Sequence, residues 1–417
     1  MGVYRWVLRD GDGAGLVVKT RDENILLTKD RIYFPNLNGL RFIAALLVIV
    51  HHTEQLKYLY NLPNNFSSSF VQIIGELGVI LFFVLSGFLI TYLLLEEERT
   101  STIAVKNFYI RRILRIWPLY FLIVGIALFL LPNISLFTLP EYDRATVYEN
   151  LPSKIFLYVF FLPNLVTPLF GVVPYAAHLW SIGTEEQFYL IWPPILKFFK
   201  KYRLHLMLFI VVGYLIFARA LFSSRTDFIP LKYELNAFWQ TFNIASMAIG
   251  GFFALLLHSQ HAALKLFLNK YLFYFVLGFT SMMLYRGVYF PHISVNNLQF
   301  PYLYKEFYSV WFGIIILNFA ANKENLISLE QRPIRYLGKI SYGLYMYHPI
   351  AIVLALQTTM WLGAPVDAFL YPLALALTVL LAGVSYRYFE MYFLNFKTNY
   401  AKVSSGDEIP NPSIPKG

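Results

Sequence analysis

About ten apolar runs, each long enough to cross the hydrocarbon core of a bilayer, constrain this chain more than any other feature of its sequence. A spanning helix needs about 20 predominantly apolar residues. Of the 417 residues, 58% are hydrophobic and 14% are charged, whereas soluble domains carry about 25% charged residues. The sequence therefore predicts an all-α fold, a polytopic membrane bundle of about ten transmembrane helices. The predicted spans are 37–58, 70–95, 113–131, 179–199, 204–222, 239–257, 268–285, 307–321, 341–361 and 368–388.

Lysine and arginine cluster in every second connection between these runs, which is typical of cytoplasmic loops in membrane proteins. The cation-rich segments are 5–31, 99–112, 197–203, 265–270 and 323–339. This alternation predicts that both chain termini are cytoplasmic. It also accounts for the net charge of +10 without a nucleic-acid partner, and the lack of cysteine excludes disulfide and zinc–thiolate chemistry.

The sequence predicts one membrane domain, residues 36–393, between two polar tails. Residues 1–35 lack the apolar core of a signal peptide and are predicted to be a cytoplasmic tail or small hairpin. Asp10 and Asp12 do not belong to a complete EF-hand loop, so no metal site is predicted. Residues 394–417 are proline-rich and are predicted to form a disordered cytoplasmic tail.

The fourth run begins with an unusual density of polar side chains. Its first turns carry His178, Trp180, Ser181, Glu185 and Glu186. Ionisable groups inside a bilayer are costly and tend to face a water-filled or ligand-filled interior. This pattern favours a functional site. The alternative is an interfacial helix cap, with Trp180 in the aromatic belt.

Predicted depth brings another titratable group to this site. The first span enters from the cytoplasm, with Arg41 near that side and His52 about 16 Å further along at 1.5 Å per residue. The fourth span enters from outside, so His178 and Glu185 are expected at a depth similar to that of His52. A histidine beside a carboxylate is the arrangement of a general base. We favour this interpretation over a histidine that only packs in the core.

The third run opens with Arg111, Arg112 and Arg115, of which the first and last share a helix face because they are four residues apart. Arg115 lies inside the apolar run and should not face lipid. Arginine forks suit phosphate oxygens, and the phosphorylated donors on the cytoplasmic side are nucleotides and coenzymes. Anchoring by cytoplasmic charge suffices for Arg111 and Arg112 but explains Arg115 poorly.

Two other spans carry polar residues. In the second span Ser86 is followed by glycine, which favours close helix packing over substrate contact. In the ninth span Tyr342, Tyr345 and His348 are spaced by three residues and predict one polar stripe that faces inward. Pro349 predicts a local break of that helix.

Several sequence blocks occur in the order typical of one protein family. They are Asn38-Gly39-Leu40-Arg41 with His52, Phe82 to Phe88, Arg111 to Tyr120, His178 to Pro193, Gly338 to Pro349, and Tyr388-Phe389-Glu390. From about residue 36 to 390 the chain resembles acyltransferase family 3, integral-membrane acyltransferases that modify bacterial surface glycans and other exported or small-molecule hydroxyls. It departs from the family pattern at Asn38, which is often Asp, and at Met391, since a proline usually follows the last glutamate closely.

The resemblance implies roles for individual residues. The family's catalytic histidine falls on His52 rather than His51, and its essential first-helix arginine falls on Arg41. The arginine block implies binding of an acyl-coenzyme A donor, with acetyl-CoA expected, by Arg111, Arg112, Arg115 and Tyr120. The resemblance also implies a location in the bacterial inner (cytoplasmic) membrane.

Together these observations predict an O-acyltransferase, and we expect an O-acetyltransferase that moves an acetyl group from cytoplasmic acetyl-CoA to a hydroxyl of a glycan or small hydroxylated acceptor. His52 would deprotonate that hydroxyl, or carry the acyl group transiently, and Glu185 or His178 would orient the ring. Ser181 or Tyr345 would stabilise the oxyanion. The expected substrate contacts are Trp180, Ser181, Tyr345, His348 and Ser86.

Two other functional classes stay open on sequence alone. A transporter or flippase for a lipid-linked glycan or a small anion would also use inward arginine and histidine, although the sequence shows no paired halves with broken helices. A sensory or scaffold protein would tolerate replacement of His52 and Arg115. The lipid bilayer is an expected partner, and the sequence leaves a homodimer open.

Overall fold

The computed structural model describes residues 31–288, 294–295, 298–299, 303–322, 324–400 and 404–405. The tail or hairpin predicted before residue 31 and the tail predicted after residue 405 lie outside these residues. The described part is dominated by helices. They are α1 (Leu37–Leu59), α2 (Ser69–Thr100), α3 (Val105–Gly125), α4 (Arg144–Tyr148), α5 (Leu151–Val159), α6 (Val166–Phe170), α7 (Trp180–Phe198), α8 (Arg203–Leu221), α9 (Lys232–Thr241), α10 (Ile244–His258), α11 (Leu264–Phe267), α12 (Lys270–Arg286), α13 (Leu303–Ala321), α14 (Arg332–Lys339), α15 (Ser341–Trp361), α16 (Val366–Ser385) and α17 (Met391–Lys397).

Short elements complete the described chain. π-helical turns continue α3 at Ile126–Leu130 and join α16 to α17 at Tyr386–Glu390. The two-residue strand β1 (Arg31–Ile32) pairs in parallel with β4 (Ser404–Ser405), with Arg31 opposite Ser404. The strands β2 (Ser294–Val295) and β3 (Leu298–Gln299) form an antiparallel pair. The 3₁₀ turns are Leu131–Asn133, Ser135–Phe137, Pro163–Leu165, Ala177–Leu179, Lys200–Tyr202, Ser224–Thr226 and Thr398–Tyr400.

Helix α17 extends into the segment that the sequence predicts to be a tail. It continues to Lys397, past residue 394, where the disordered tail was expected to begin. The π-helical turn before it keeps residues 386–397 helical without interruption. The remaining division of the chain into one membrane domain and two tails stays a prediction.

Five described helical segments are long and apolar enough to cross a membrane, with mean hydropathy between 1.5 and 2.5. They are Ser69–Thr100, Val105–Asn133, Lys200–Leu221, Lys232–His258 and Val366–Lys397. The chain is thus an integral membrane protein. The other predicted spans fall on α1, α7, α12, α13 and α15, which are not among these five. The count of ten transmembrane helices and the orientation of the termini therefore stay predictions.

Helix α2 is the central packing element of the described bundle. Its N-cap is Ser68, whose side chain accepts a hydrogen bond from the Val71 amide, and the helix packs against α1, α7, α10, α12 and α13. Its contact with α10 depends on glycine on both sides. A Cβ atom added to Gly87 would lie 1.9 Å from the Met247 carbonyl oxygen, and one added to Gly250 would lie 2.1 Å from the Val84 carbonyl oxygen. The close helix packing that the sequence predicts for the Ser86-Gly87 pair therefore occurs at Gly87.

Three consecutive carboxylates at the end of α2 bring two of the cation-rich segments, 99–112 and 197–203, together with the end of α10 on one side of the bundle. The contacts are His258–Glu96 at 3.3 Å, Arg111–Glu97 at 3.2 Å and Arg203–Glu98 at 2.7 Å. The β1–β4 pair joins the segments near the two chain ends, and Arg111 donates to the carbonyl oxygen of Tyr400 on this same side. The alternation of cation-rich loops is thus consistent with the packing.

The opposite side of the bundle carries a different polar cluster. Lys57, near the end of α1, donates to Glu54 and to Asp367 at the start of α16, both at 2.8 Å. Glu54 also accepts hydrogen bonds from Tyr371 and from the backbone amide of Asn65. Lys57 and Glu54 are each 1% exposed, so this cluster is a buried link between α1 and α16.

Candidate functional site

A large cavity lies between α1, α2, α3, α7 and α15, with about 1230 Å³ of empty space including its open mouth. It reaches the cation-rich side, since Tyr33, Phe34 and Lys397 line it. Its lining is mixed in polarity, and much of the apolar part comes from α2. The apolar lining includes Leu37, Val79, Phe82, Phe83, Leu89, Ile90, Leu93, Ile116 and Ile182. The polar lining includes Asn38, Arg41, Ser86, Arg112, Arg115, Ser181, Glu185, Tyr189, Ser341, Tyr342 and Tyr345.

Three arginines give this cavity its positive charge. Arg41 donates to the side-chain oxygen of Asn38 at 3.0 Å. Arg112 lies over the rings of Phe108 and Tyr189, with its guanidinium carbon 5.4 and 5.3 Å from their centroids. Its Nε atom is buried without a hydrogen-bond partner. Within the described part of the chain, neither Arg112 nor Arg115 forms an ion pair with a carboxylate. The cavity thus keeps guanidinium groups that can still bind an anion.

The depth of these arginines follows from their position on α3. At 1.5 Å per residue, Arg112 and Arg115 lie about 10 and 15 Å along the helix from Val105. The predicted inward orientation of Arg115 agrees with its place in the cavity lining. Arg111, one turn nearer the helix start than Arg115, does not line the cavity; it contacts Glu97 and the Tyr400 carbonyl instead. Its predicted part in donor binding is therefore not supported by its contacts.

Glu185 is the carboxylate of the cavity, and its neutral neighbours hold it in place. Ser86 donates to one carboxylate oxygen at 2.9 Å and Tyr189 donates to the other at 2.9 Å. Glu186 is oriented differently, because one of its oxygens accepts from the indole of Trp117 at 3.0 Å and the other is buried without a partner. The two adjacent carboxylates thus have separate environments, and only Glu185 lines the cavity.

Ser181 and Tyr345 form the end of the cavity that is nearest the histidines. Their hydroxyl oxygens lie 2.7 Å apart, and the Tyr345 hydroxyl donates to the backbone carbonyl of His178 at 2.9 Å. The ring of Tyr345 lies 5.3 Å from that of His178 and 5.6 Å from that of His348, between centroids. These two hydroxyls therefore separate the arginine-rich cavity from a cluster of imidazoles.

Four histidines form that cluster. The ring centroids of His52 and His348 are 4.8 Å apart, those of His178 and His348 are 5.1 Å apart, and those of His51 and His52 are 5.0 Å apart. Nδ1 of His52 lies 3.2 Å from Nε2 of His348. His178 is buried, and its Nε2 has no hydrogen-bond partner. Residues from α1, α15 and the turn before α7 thus meet, as the sequence predicts for His52, His178 and His348.

The expected pairing of His52 with Glu185 is wrong in its geometry. Both oxygens of Glu185 are occupied by Ser86 and Tyr189, and the polar neighbours of His52 Nδ1 are His348 and the carbonyl oxygen of Val48. The reason is distance along the fourth run. Glu185 follows His178 by seven residues, which is about 10 Å at the rise of an α-helix. A carboxylate that far along the helix axis belongs to a different level of the bundle.

Two other predicted contacts lie away from the cavity. The Tyr120 hydroxyl donates to the Tyr158 carbonyl at 3.0 Å, and its ring stacks on Phe161 with centroids 4.6 Å apart. Trp180 packs edge-on against Phe83 at 6.1 Å and does not line the cavity. Both residues are therefore placed as packing residues behind the cavity wall.

Sequence reasoning missed several members of the site. Tyr189 follows Glu185 by four residues, and this spacing places both on one helix face, so it was an available signal. His51 is a packing neighbour of the site: its Nδ1 donates to the Val71 carbonyl oxygen at 2.8 Å, and a Cβ on Gly75 would lie 2.3 Å from its ring. Nothing in the local sequence distinguishes the contribution of Lys397, which comes from the far end of the chain.

Comparison with known proteins adds independent information. The model of the family described as "Acyltransferase domain" matches residues 34–387. A protein named peptidoglycan O-acetyltransferase OatA, from Listeria monocytogenes, is 28% identical over 403 residues, covering 88% of this chain and 58% of that protein. O-acetyltransferase OatA of Staphylococcus aureus is 28% identical over 397 residues, covering 86% and 57%. A putative O-acetyltransferase of Staphylococcus aureus is 26% identical over 407 residues, covering 88% and 59%.

The chain therefore spans less than two thirds of the length of these relatives. No solved structure matches it.

Proposed function

This chain belongs to the acyltransferase family, and on that premise we propose that it is a membrane O-acetyltransferase that uses acetyl-CoA as acyl donor. The observation that supports the proposal is the cavity between α1, α2, α3, α7 and α15, in which Arg112 and Arg115 form no ion pair with any carboxylate in the described part of the chain and lie among polar and apolar side chains. A donor of this kind combines negatively charged phosphates with a long, flexible arm that ends in the thioester. The residues present therefore fit it.

Arg41, Arg112 and Arg115 are the residues that would hold the donor phosphates. Charge-assisted hydrogen bonds from arginine to phosphate are among the strongest in proteins. The orphan Nε of Arg112 supports the assignment, since a buried donor without a partner is costly and a phosphate oxygen would satisfy it. The thioester of acetyl-CoA would supply an acyl group that is activated for transfer to an alcohol.

We propose that His52 is the general base. In the transfer the acceptor oxygen forms a bond to the acyl carbon as the bond from that carbon to sulfur breaks. The proton that leaves the hydroxyl is accepted by His52 and is then returned to the thiolate sulfur. The adjacent hydroxyls of Ser181 and Tyr345, at the boundary between cavity and histidines, support a role in stabilising the oxyanion.

The proposed acceptor is a hydroxyl of a cell-envelope glycan. The named relatives include a peptidoglycan O-acetyltransferase, which favours this class of acceptor. The histidine cluster lies towards the side of the bundle away from the cation-rich loops, because His52 is nearer the end of α1 than its start. An acceptor that reaches His52 from that side would meet a donor held from the other. Donor and acceptor would then approach the reaction centre from opposite sides of the inner membrane.

The test uses purified protein in detergent or nanodiscs, with acetyl-CoA and a water-soluble chitooligosaccharide or muropeptide as acceptor. We expect acceptor-dependent release of the CoA thiol and an O-acetylated product by mass spectrometry. The His52→Ala protein should lose both while keeping its folded elution profile, and His205→Ala, which changes an exposed histidine on α8, should keep both. Anion transport by wild-type proteoliposomes without any thiol release would instead favour the transporter alternative.

A further inference from the structure

The hydrogen-bond partners of His348 and His52 determine which nitrogen of each ring carries the proton. Nδ1 of His348 lies 2.6 Å from the carbonyl oxygen of Tyr345. A carbonyl oxygen can only accept a hydrogen bond, so Nδ1 of His348 carries the proton. A neutral imidazole has one N–H, and Nε2 of His348 is therefore an acceptor.

The Tyr345 carbonyl is available for this bond because Pro349 follows His348 in the chain. In an α-helix the amide of residue 349 would bond to the carbonyl of residue 345, but Pro349 has no amide hydrogen. The break predicted at Pro349 does not occur, since α15 continues from Ser341 to Trp361. The proline instead leaves one carbonyl without its helical partner, and His348 occupies it.

The neighbours of His52 fix its proton in the same way. Its Nδ1 lies 3.2 Å from the acceptor Nε2 of His348 and 3.0 Å from the carbonyl oxygen of Val48, one helical turn earlier on α1. Both neighbours are acceptors, so both require a proton on Nδ1 of His52. The unshared electron pair of His52 is therefore on Nε2, which has no hydrogen-bond partner within the described part of the chain.

We propose that His348 is the positioning residue of the catalytic histidine: it fixes the tautomer of His52 that leaves Nε2 free to accept a proton. This inference rests on the proposed function of His52 as base. It assigns to a neutral imidazole the orienting role for which the sequence suggests Glu185 or His178. The hydrogen bond made by one ring nitrogen of a histidine determines whether the other nitrogen is free to accept a proton.

Two replacements of His348 separate this role from simple packing. In His348→Gln the side-chain amide oxygen can accept near the position of Nε2, whereas in His348→Asn the amide nitrogen can donate near the position of Nδ1. We expect the Gln protein to keep its kcat within about tenfold of wild type and the Asn protein to lose about 10²-fold or more, the scale of one positioned base. KM for acetyl-CoA should change little in either, because the arginines are untouched.

The second readout does not depend on activity. Nitrogen-15 NMR of protein labelled in its histidine rings reports which ring nitrogen is protonated, and the signal of His52 is assigned by its loss in His52→Ala. We expect an N–H at Nδ1 of His52 in wild type and in His348→Gln, and a changed pattern in His348→Asn. A proton on Nε2 of His52 in wild type, or an Asn protein more active than the Gln protein, would overturn the proposal. If wild type transfers no acetyl group, the proposed function fails while the NMR result still decides the tautomer.

Discussion

Replacing Arg115 with glutamine should weaken donor binding without slowing the chemical step. Arg115 lines the cavity and forms no ion pair in the described part of the chain, so its loss leaves no carboxylate unpaired. A hydrogen bond to a charged group contributes about 1.5–3 kcal/mol. At about 1.4 kcal/mol for each factor of ten, this corresponds to a rise in KM for acetyl-CoA of about 10- to 150-fold. The value of kcat should stay near that of wild type, because an interaction made equally with donor and transition state changes KM alone.

The assay is acceptor-dependent thiol release over a range of acetyl-CoA concentrations with purified protein. Arg335→Gln is the matched control, because it removes the same charge from an exposed position on α14. An additional titration with salt checks the cause, since screening should raise the wild-type KM more than that of the Arg115 variant. An Arg115→Gln protein with the KM of wild type, or one that loses kcat with an unchanged KM, would refute the assignment of Arg115 to the donor phosphates.

Three further predictions concern the support of the site. Gly87→Ala should lower the free energy of unfolding by about 1–3 kcal/mol because the added Cβ would overlap the Met247 carbonyl. Gly278→Ala is the control, since its Cβ would have no neighbour within 4 Å and the change should be neutral or stabilising. Thermal unfolding in detergent measures both, and equal midpoints for the two variants would contradict the prediction. Ser86→Ala and Tyr189→Phe each remove one hydrogen-bond donor to Glu185. Each should lower kcat/KM by an amount that corresponds to about 1 kcal/mol, and the loss in the double variant should be non-additive. Unchanged kinetics in all three variants would exclude a role of Glu185 in the reaction. Lys57→Met should destabilise by roughly 3 kcal/mol because Glu54 stays buried without its cation, while Asp367→Asn, whose carboxylate is 76% exposed, should shift the midpoint far less.

Helical rise predicts the depth of some site residues in this bundle and misplaces one of them. Helical rise alone places His52 and His178 at one level, and their rings both contact His348. Glu185 does not share this level, because the helix advances about 10 Å between the histidine and the carboxylate of the fourth run. Arg115 was predictable for a different reason, since a guanidinium inside an apolar run must face the interior.

Other parts of the site depend on tertiary packing that no local pattern contains. Tyr120 belongs to a sequence block with the arginines, yet its hydroxyl satisfies the carbonyl of Tyr158, which lies on α5. Lys397 reaches the cavity from the far end of the chain. Pro349 does not break α15, which continues through it. Because proline lacks an amide hydrogen, it leaves the Tyr345 carbonyl free to accept the hydrogen bond that orients His348.

We propose that the His52 imidazole accepts the proton of the acceptor hydroxyl. Comparing replacements of His52 and of its neighbour His51 tests this most directly. The two residues are adjacent on α1, but His51 bonds to the Val71 carbonyl of α2 and His52 faces His348. The measurement is the yield of O-acetylated acceptor, by mass spectrometry, from wild type, His52→Ala and His51→Ala at matched amounts of folded protein. We expect product from wild type and from His51→Ala, and at least about 10²-fold less from His52→Ala. Comparable product from His52→Ala and wild type would contradict it.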